Sequence, residues 1–255
     1  MAGCYAAICT WILGYPDRAV QLCDSADAHA YQHAHPFNIG WALHIGAHVF
    51  EFRKEPEKLR QRTVACDQLG RENSLPLLWA RMAPEAYRRT LVREGKPAEG
   101  VDPQGLGPAA LADIRSTIHD AYTKAVLAEG LAHMGRIEDA LTLIDEQTAA
   151  AEQPGRERRI YYAEFLRIRG WILSCAGDGE GAERSYQGSL AWARQQQAKS
   201  WELRTACSLA VLWQAQGRGK EAYDLLMPVY RWFTEGFNTP DLQHARTLLD
   251  ALGAE

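Results

Sequence analysis

The chain has 255 residues, long enough for a core without staples, and its 47% hydrophobic and 24% charged content is that of an ordinary soluble protein. A net charge of −4 and a pI near 6.1 argue against a nucleic-acid platform, which needs a basic excess. The six cysteines (Cys4, Cys9, Cys23, Cys66, Cys175, Cys207) are scattered without a CxxC and read as buried thiols of a reduced cytosolic protein.

The opening stretch MAGCYAAICTWILGY is apolar but has no basic lead-in and is too short to span a bilayer. Ala2 excludes a myristoylation motif, and a cytoplasmic chain without membrane partners is expected. Turn-like breaks follow at Gly14, near Lys54, and at Gly95, Gly135, Gly177 and Gly217, about 40 residues apart with one step of 42. Seven residues before each break stands a small side chain in five of six cases: Ala7, Ala47, Ala128, Gly170 and Ala210, with Arg88 as the exception. Five residues after each break come Ala19, Leu59, Gly100, Ala140, Ala182 and Ala222. Small residues at these points let two helices cross closely, so the spacing predicts six helix pairs over 1–34, 36–72, 75–113, 114–153, 157–196 and 198–235.

The first pair is short, which suggests a chain that starts inside a longer parent or was trimmed. Pro56 fits the first turn of its helix, where a missing N–H costs nothing. The third pair is irregular: DPQGLGP at 102–108 breaks its second helix and predicts a long loop there. A closing helix at 240–252, with Thr239 as N-cap and Pro240 in its first turn, predicts the cap that covers a last apolar face. No stretch alternates with the period of a strand, so the whole chain is expected to be all-α.

The segment IYYAEFLRIRGWILSCAGDGEGAERSYQGSLAWA (160–193), with Gly170, Gly177, Ala182 and Tyr186 at fixed offsets, resembles the skeleton of a tetratricopeptide repeat (TPR). Residues 195–252, GYPDRAV (14–20) and HPFNIGWALHIGAHVFEFRKEP (35–56) are similar to the two ends of C-terminal TPR arrays in bacterial multidomain signalling proteins that carry a STAND-type ATPase and often a nucleotide cyclase. The likeness is weaker over 76–130. It implies a single right-handed α-solenoid over 1–255 with regulatory or sensing work. It brings no catalysis, because the ATPase and cyclase segments are absent. In such arrays the first helix of each pair lines a concave groove. Register then points to Trp11, Trp41, His44, His48, Glu51, Glu85, Arg89, Tyr122, Glu129, Glu164, Arg167, Trp171, Arg204 and Gln214 as groove residues. Aromatics there would supply rigid contact area, and arginines forks for a carboxylate or phosphate. The implied ligand is a protein or peptide, including domains of a longer parent; the alternative is a small molecule held around Trp41, Arg89 and Trp171.

Neither Gly217-Arg-Gly-Lys220-Glu221 nor Gly177-Asp-Gly-Glu-Gly181 has the strand-to-helix setting and Ser/Thr of a phosphate loop, and both read as inter-helix turns. GxSxG, HExxH and EF-hand patterns are missing, so neither an enzyme nor a cofactor is expected. His44, His48 and Glu51 share a helical face with the spacing to hold a metal, but packing is the plainer reading. His29, His33 and His35 at a helix end, and Arg156, Arg158 and Arg159 beside Glu157, read as solvated groups.

Overall fold

The computed structural model describes residues 2–118, 120–153 and 158–253, with the side chains of Pro108 and Arg158 left aside. Arg156 and Glu157 of the basic run therefore lie outside the described residues. The protein is all-α, with fourteen α-helices among the described residues. In chain order these are α1 (Ala2–Ile12), α2 (Pro16–Gln32), α3 (Pro36–Phe52), α4 (Pro56–Glu72), α5 (Ala83–Arg93), α6 (Pro97–Val101), α7 (Ala110–Thr117), α8 (Ala121–His133), α9 (Ile137–Glu152), α10 (Tyr162–Cys175), α11 (Gly179–Gln195), α12 (Lys199–Ala215), α13 (Gly219–Arg231) and α14 (Pro240–Leu252). They pack as sequential pairs: α1 on α2, α3 on α4, α5 on α6, α8 on α9, α10 on α11 and α12 on α13. The chain divides into two compact units, Met1–Ala110 and Leu111–Glu255.

One turn geometry joins the members of every pair. At Gly177 the backbone takes φ +81°, the Gly177 N–H donates to the Ser174 carbonyl (3.1 Å), and the Asp178 N–H reaches back to Leu173 (3.0 Å). This is the Schellman closure, which satisfies carbonyls the helix end would otherwise leave open. The same two bonds recur at Gly14, Lys54, Gly95, Gly135 and Gly217, all at positive φ. Lys54 alone does this with a side chain, at φ +58°. Ala34, Ser74 and Gln197 take the same conformation between pairs, where no glycine marks the turn. Prolines set the opposite ends: Pro16, Pro36, Pro56, Pro97 and Pro240 each open a helix.

The small positions are where the pairs cross. Ala7, Ala47, Ala128 and Ala210 have no exposed surface, and neither do Ala19, Leu59, Ala140, Ala182 and Ala222 opposite them. At Gly170 even a methyl is too much, because a Cβ would stand 2.6 Å from the Tyr186 ring and 3.1 Å from the Ala182 carbonyl. In the second unit these crossings merge into one core, from Leu173 through Tyr186, Leu203 and Leu226 to Leu249 and Leu252 of α14.

The irregular third pair has a physical logic. Its first helix begins with a six-residue π-helical segment, Leu77–Met82, that runs directly into α5. Pro84 lacks an N–H and would crowd the carbonyl four residues back in a regular helix; the wider π turn just before it relieves that conflict. The second helix, α6, stops after five residues. Arg88 then fills the place that is small elsewhere and spends its guanidinium on the stop: Nε donates to the Gly100 carbonyl (2.9 Å) and Nη2 to Val101 (2.6 Å). Asp102 closes the following loop by accepting from the Leu106 and Gly107 amides at 2.6 and 2.7 Å. DPQGLGP is therefore not a plain long loop replacing the helix but a capped break, with a 3₁₀ turn at Gly107–Ala109 leading into α7.

One smaller expectation is refined and another corrected. Thr239 sits at the N-cap of α14, but its hydroxyl donates to the Gly236 carbonyl (2.6 Å) and makes no cap bond to the helix. The cysteines are not all buried: Cys9 and Cys175 are exposed, whereas Cys4, Cys23, Cys66 and Cys207 lie inside. Burial raises the Cys23 thiol to about 12 and Cys66 to about 11.

Candidate functional site

In the second unit, four of the residues singled out by register form one connected chain of ion pairs. Arg167 on α10 forks onto Glu164 one turn earlier, with Nε to Oε2 at 2.7 Å and Nη2 to Oε1 at 2.9 Å. The same Nη2 reaches Glu129 on α8 at 3.1 Å. Arg204 on α12 donates Nη1 to Glu164 at 3.2 Å and Nε to Asp241 on α14 at 2.7 Å. The order is Glu129–Arg167–Glu164–Arg204–Asp241, and it crosses four helices that succeed one another as first members of their pairs, ending on the closing helix.

The chain is well enclosed. Glu164 is fully buried, and the other four side chains are 9–13% exposed. Burial by itself lowers the Arg167 and Arg204 pKa values; the carboxylates of Glu164 with Glu129, and of Asp241 with Glu164, more than reverse this and hold both guanidiniums charged. Both forks are thus already engaged by carboxylates of the same unit, which differs from loose arginines waiting for an anion.

The other positions in this unit flank the chain. Tyr122 is buried, with its ring 5.0 Å from that of Tyr161. Trp171 is half-buried, one turn beyond Arg167, and its ring lies 4.7 Å from the exposed His133. Gln214 is half-buried on α12, near the exposed Val211.

The first unit has its own enclosed charges. Glu51 on α3 accepts from Arg89 Nε on α5 at 2.9 Å, with neither side chain exposed, and from Arg93 Nε at 3.4 Å. Glu85 is buried one turn before Arg89. Trp11 packs its ring 4.8 Å from Phe52, which also meets His48 at 5.9 Å; His48 faces His44 edge-on at 6.0 Å. Trp41 is half-buried, its ring 5.8 Å from Phe37. Glu51, the third member of the His44/His48/Glu51 set, is turned to arginines, and among the described residues no three His, Cys, Asp or Glu are placed to hold a metal ion. The Gly177–Gly181 turn is filled by its own chain: the Asp178 carboxylate accepts from the Gly181 amide at 2.8 Å and caps α11.

Register could not reveal Asp241, Arg93 or the capping role of Arg88. Asp241 left no signal in register, because it stands 37 residues after Arg204, short of the 40-residue step between turns.

No protein-family model matches the chain, and no curated protein matches it either. The molecule is, among the described residues, an all-helical fold of fourteen α-helices packed in sequential pairs, consistent with a helical repeat. Among the described residues no helix is long and apolar enough to cross a membrane.

Proposed function

We propose that the protein is a non-catalytic, TPR-like interaction module whose second unit takes a polypeptide segment along the first helices of its pairs, in service of a larger signalling protein. The observation that carries this is the ion chain across α8, α10, α12 and α14. Packed helices lie about 8–10 Å apart, so a strip across four of them is about 25–30 Å long. That suits an extended peptide of about eight residues better than a metabolite. Side chains that lock one another in place give a prearranged surface with little ordering cost on binding. Trp171, half-open beside the strip, is the aromatic anchor, and Arg167 with Arg204 positions the helices.

The test is capture on a peptide array by the full chain, compared with Trp171→Ala and with Arg184→Ala, an exposed change on α11. Peptides held by the full chain and by Arg184→Ala but lost with Trp171→Ala support the reading. Binding that ignores Trp171→Ala, or no peptide binding at all, rules it out.

A further inference from the structure

Two histidine pairs in the first unit are spaced four residues apart: His29 with His33 at the end of α2, and His44 with His48 on α3. The structure separates them. His48 is buried, its ring is 6.0 Å from that of His44, and Glu51 of the same face is bound to Arg89. His29 and His33 are both exposed, and their ring centroids are 4.5 Å apart at 69°. Among the described residues, neither imidazole hydrogen-bonds, ion-pairs or stacks with any group but the other.

The 4.5 Å spacing has a chemical meaning. A metal ion sits about 2.0–2.1 Å from an imidazole nitrogen, and so about 3.2 Å from the ring centre. Two imidazoles bound at a right angle about one ion therefore have centroids about 4.5 Å apart, and at the tetrahedral angle about 5.2 Å. The His44 and His48 rings, at 6.0 Å, are too far apart for either. Right-angled positions are those of tetragonal Cu²⁺ and Ni²⁺. Location adds to this. His29 lies in the last turn of a 17-residue helix and His33 is its C-cap, where the helix dipole favours a cation. No lysine or arginine occurs between Arg18 and Arg53, so the turn from α2 to α3 carries no permanent positive charge to repel one.

We infer that His29 and His33 form a bidentate site for a divalent ion of the Cu²⁺ and Ni²⁺ type, with water or an outside donor in the remaining positions. Imidazole nitrogens suit these ions, whereas Mg²⁺ and Ca²⁺ demand oxygen ligands. Rotation about exposed side-chain bonds brings the two nitrogens onto one ion, and the helix keeps the second donor beside the first once one has bound. His35 lies beyond the turn at Ala34 (φ +49°) and is not a third ligand, since no three His, Cys, Asp or Glu among the described residues are placed to share an ion. The pair lies in the first unit and shares no residue with the peptide strip of the second, so the two sites are tested separately.

The test is isothermal titration of the full chain with nickel chloride, beside His29→Ala, His33→Ala and the control His35→Ala. All three sites are exposed, so folding is preserved and is checked by circular dichroism. One equivalent of Ni²⁺ is expected on the unaltered chain and on His35→Ala. Affinity should fall by about tenfold or more in His29→Ala and in His33→Ala, because each leaves a single donor. Excess Mg²⁺ should not displace the ion. Hydrogen exchange gives a second readout: Ni²⁺ should slow the amides in the last turn of α2, which the bridge holds closed, in the unaltered chain but not in His29→Ala. Absence of Ni²⁺ binding overturns the inference. So do binding that ignores His29→Ala and His33→Ala, an equal loss in His35→Ala, displacement by Mg²⁺, or unchanged exchange in α2.

Discussion

Gly170 and Gly177 lie seven residues apart and do different physical work. Gly177 is needed for its backbone: φ +81° costs an L-residue about 1–2 kcal/mol, and nothing stands within 4 Å of a Cβ there. Gly170 is needed for space, because its Cβ would press on Tyr186. Gly177→Ala should therefore lose about 1 kcal/mol, and Gly170→Ala about 1–3 kcal/mol. The decisive measurement is rescue by denaturant titration: Tyr186→Leu in the Gly170→Ala background should recover part of the loss, and in the Gly177→Ala background none. Equal behaviour would refute the steric account. Thiol reactivity separates residues in a similar way. In dilute protein near neutral pH, Cys9 and Cys175 should alkylate first, while Cys23 and Cys66, buried and with raised thiol pKa values, stay protected. Peptide mass mapping after brief labelling checks this, and rapid modification of Cys66 would contradict the burial.

At the scale of elements, Arg88 and the break after Val101 are one device. A five-residue helix is marginal alone, and its last carbonyls would be stranded where Gly100 and Val101 are buried. Arg88→Leu removes two charge-assisted bonds and should cost about 3 kcal/mol, with early loss of amide protection in α6 by hydrogen exchange. Protection in α6 equal to that of the unaltered chain would disprove the capping role. A second link ties α4 to the end of α5: Arg60 forks onto Glu94, and that hydrogen bonding, acting against the effect of burial, holds the Glu94 carboxyl below its ordinary range. A carboxyl lowered in the folded state stabilises above its unfolded pKa, about 4.3, and the gain is lost as pH falls through the lower folded value. Acid titration of stability should therefore fall less steeply below about pH 4 in Arg60→Met than in the unaltered chain. An unchanged slope would show the pair to be solvated and idle.

These examples also show what a reader of the sequence can reach. Turn glycines and small crossing residues act within about 15 residues, and the pairs they mark are visible as a 40-residue rhythm. Ala34, Ser74 and Gln197 turn at positive φ with no glycine and so left no mark, each closing its turn by donating its amide to the carbonyl three residues back. Arg88 looked like a defect because its reward, the Gly100 and Val101 carbonyls, exists only once α6 has stopped. Register located Glu129, Glu164, Arg167 and Arg204, but not that they pair with one another. Glu164 and Arg167 are three residues apart on α10, but Arg167 with Glu129 and Arg204 with Glu164 are 38 and 40 residues apart and become neighbours only through stacking.

For the whole molecule, the two compact units each own a core and a buried ionic knot: Glu51 with Arg89 in one, Glu164 with Arg167 and Arg204 in the other. The boundary between Ala110 and Leu111 falls at the start of α7, just past the capped break at 102–107. Two compact units, each with its own core, should unfold in two steps, and each step should answer to its own variants. Glu164→Gln removes the carboxylate that bridges Arg167 and Arg204, which keep Glu129 and Asp241 respectively; losing the charge-assisted bonds of the bridge should cost about 1–3 kcal/mol. Arg88→Leu acts only in the first unit. Scanning calorimetry of the full chain should resolve two transitions, with Glu164→Gln lowering one and Arg88→Leu the other. If both variants lower the same single transition, the cores unfold as one cooperative body, and the division has no thermodynamic meaning. If Glu164→Gln leaves its transition in place, the ion chain is not what holds α8, α10, α12 and α14 in register, and the apolar core from Leu173 to Leu252 does so alone.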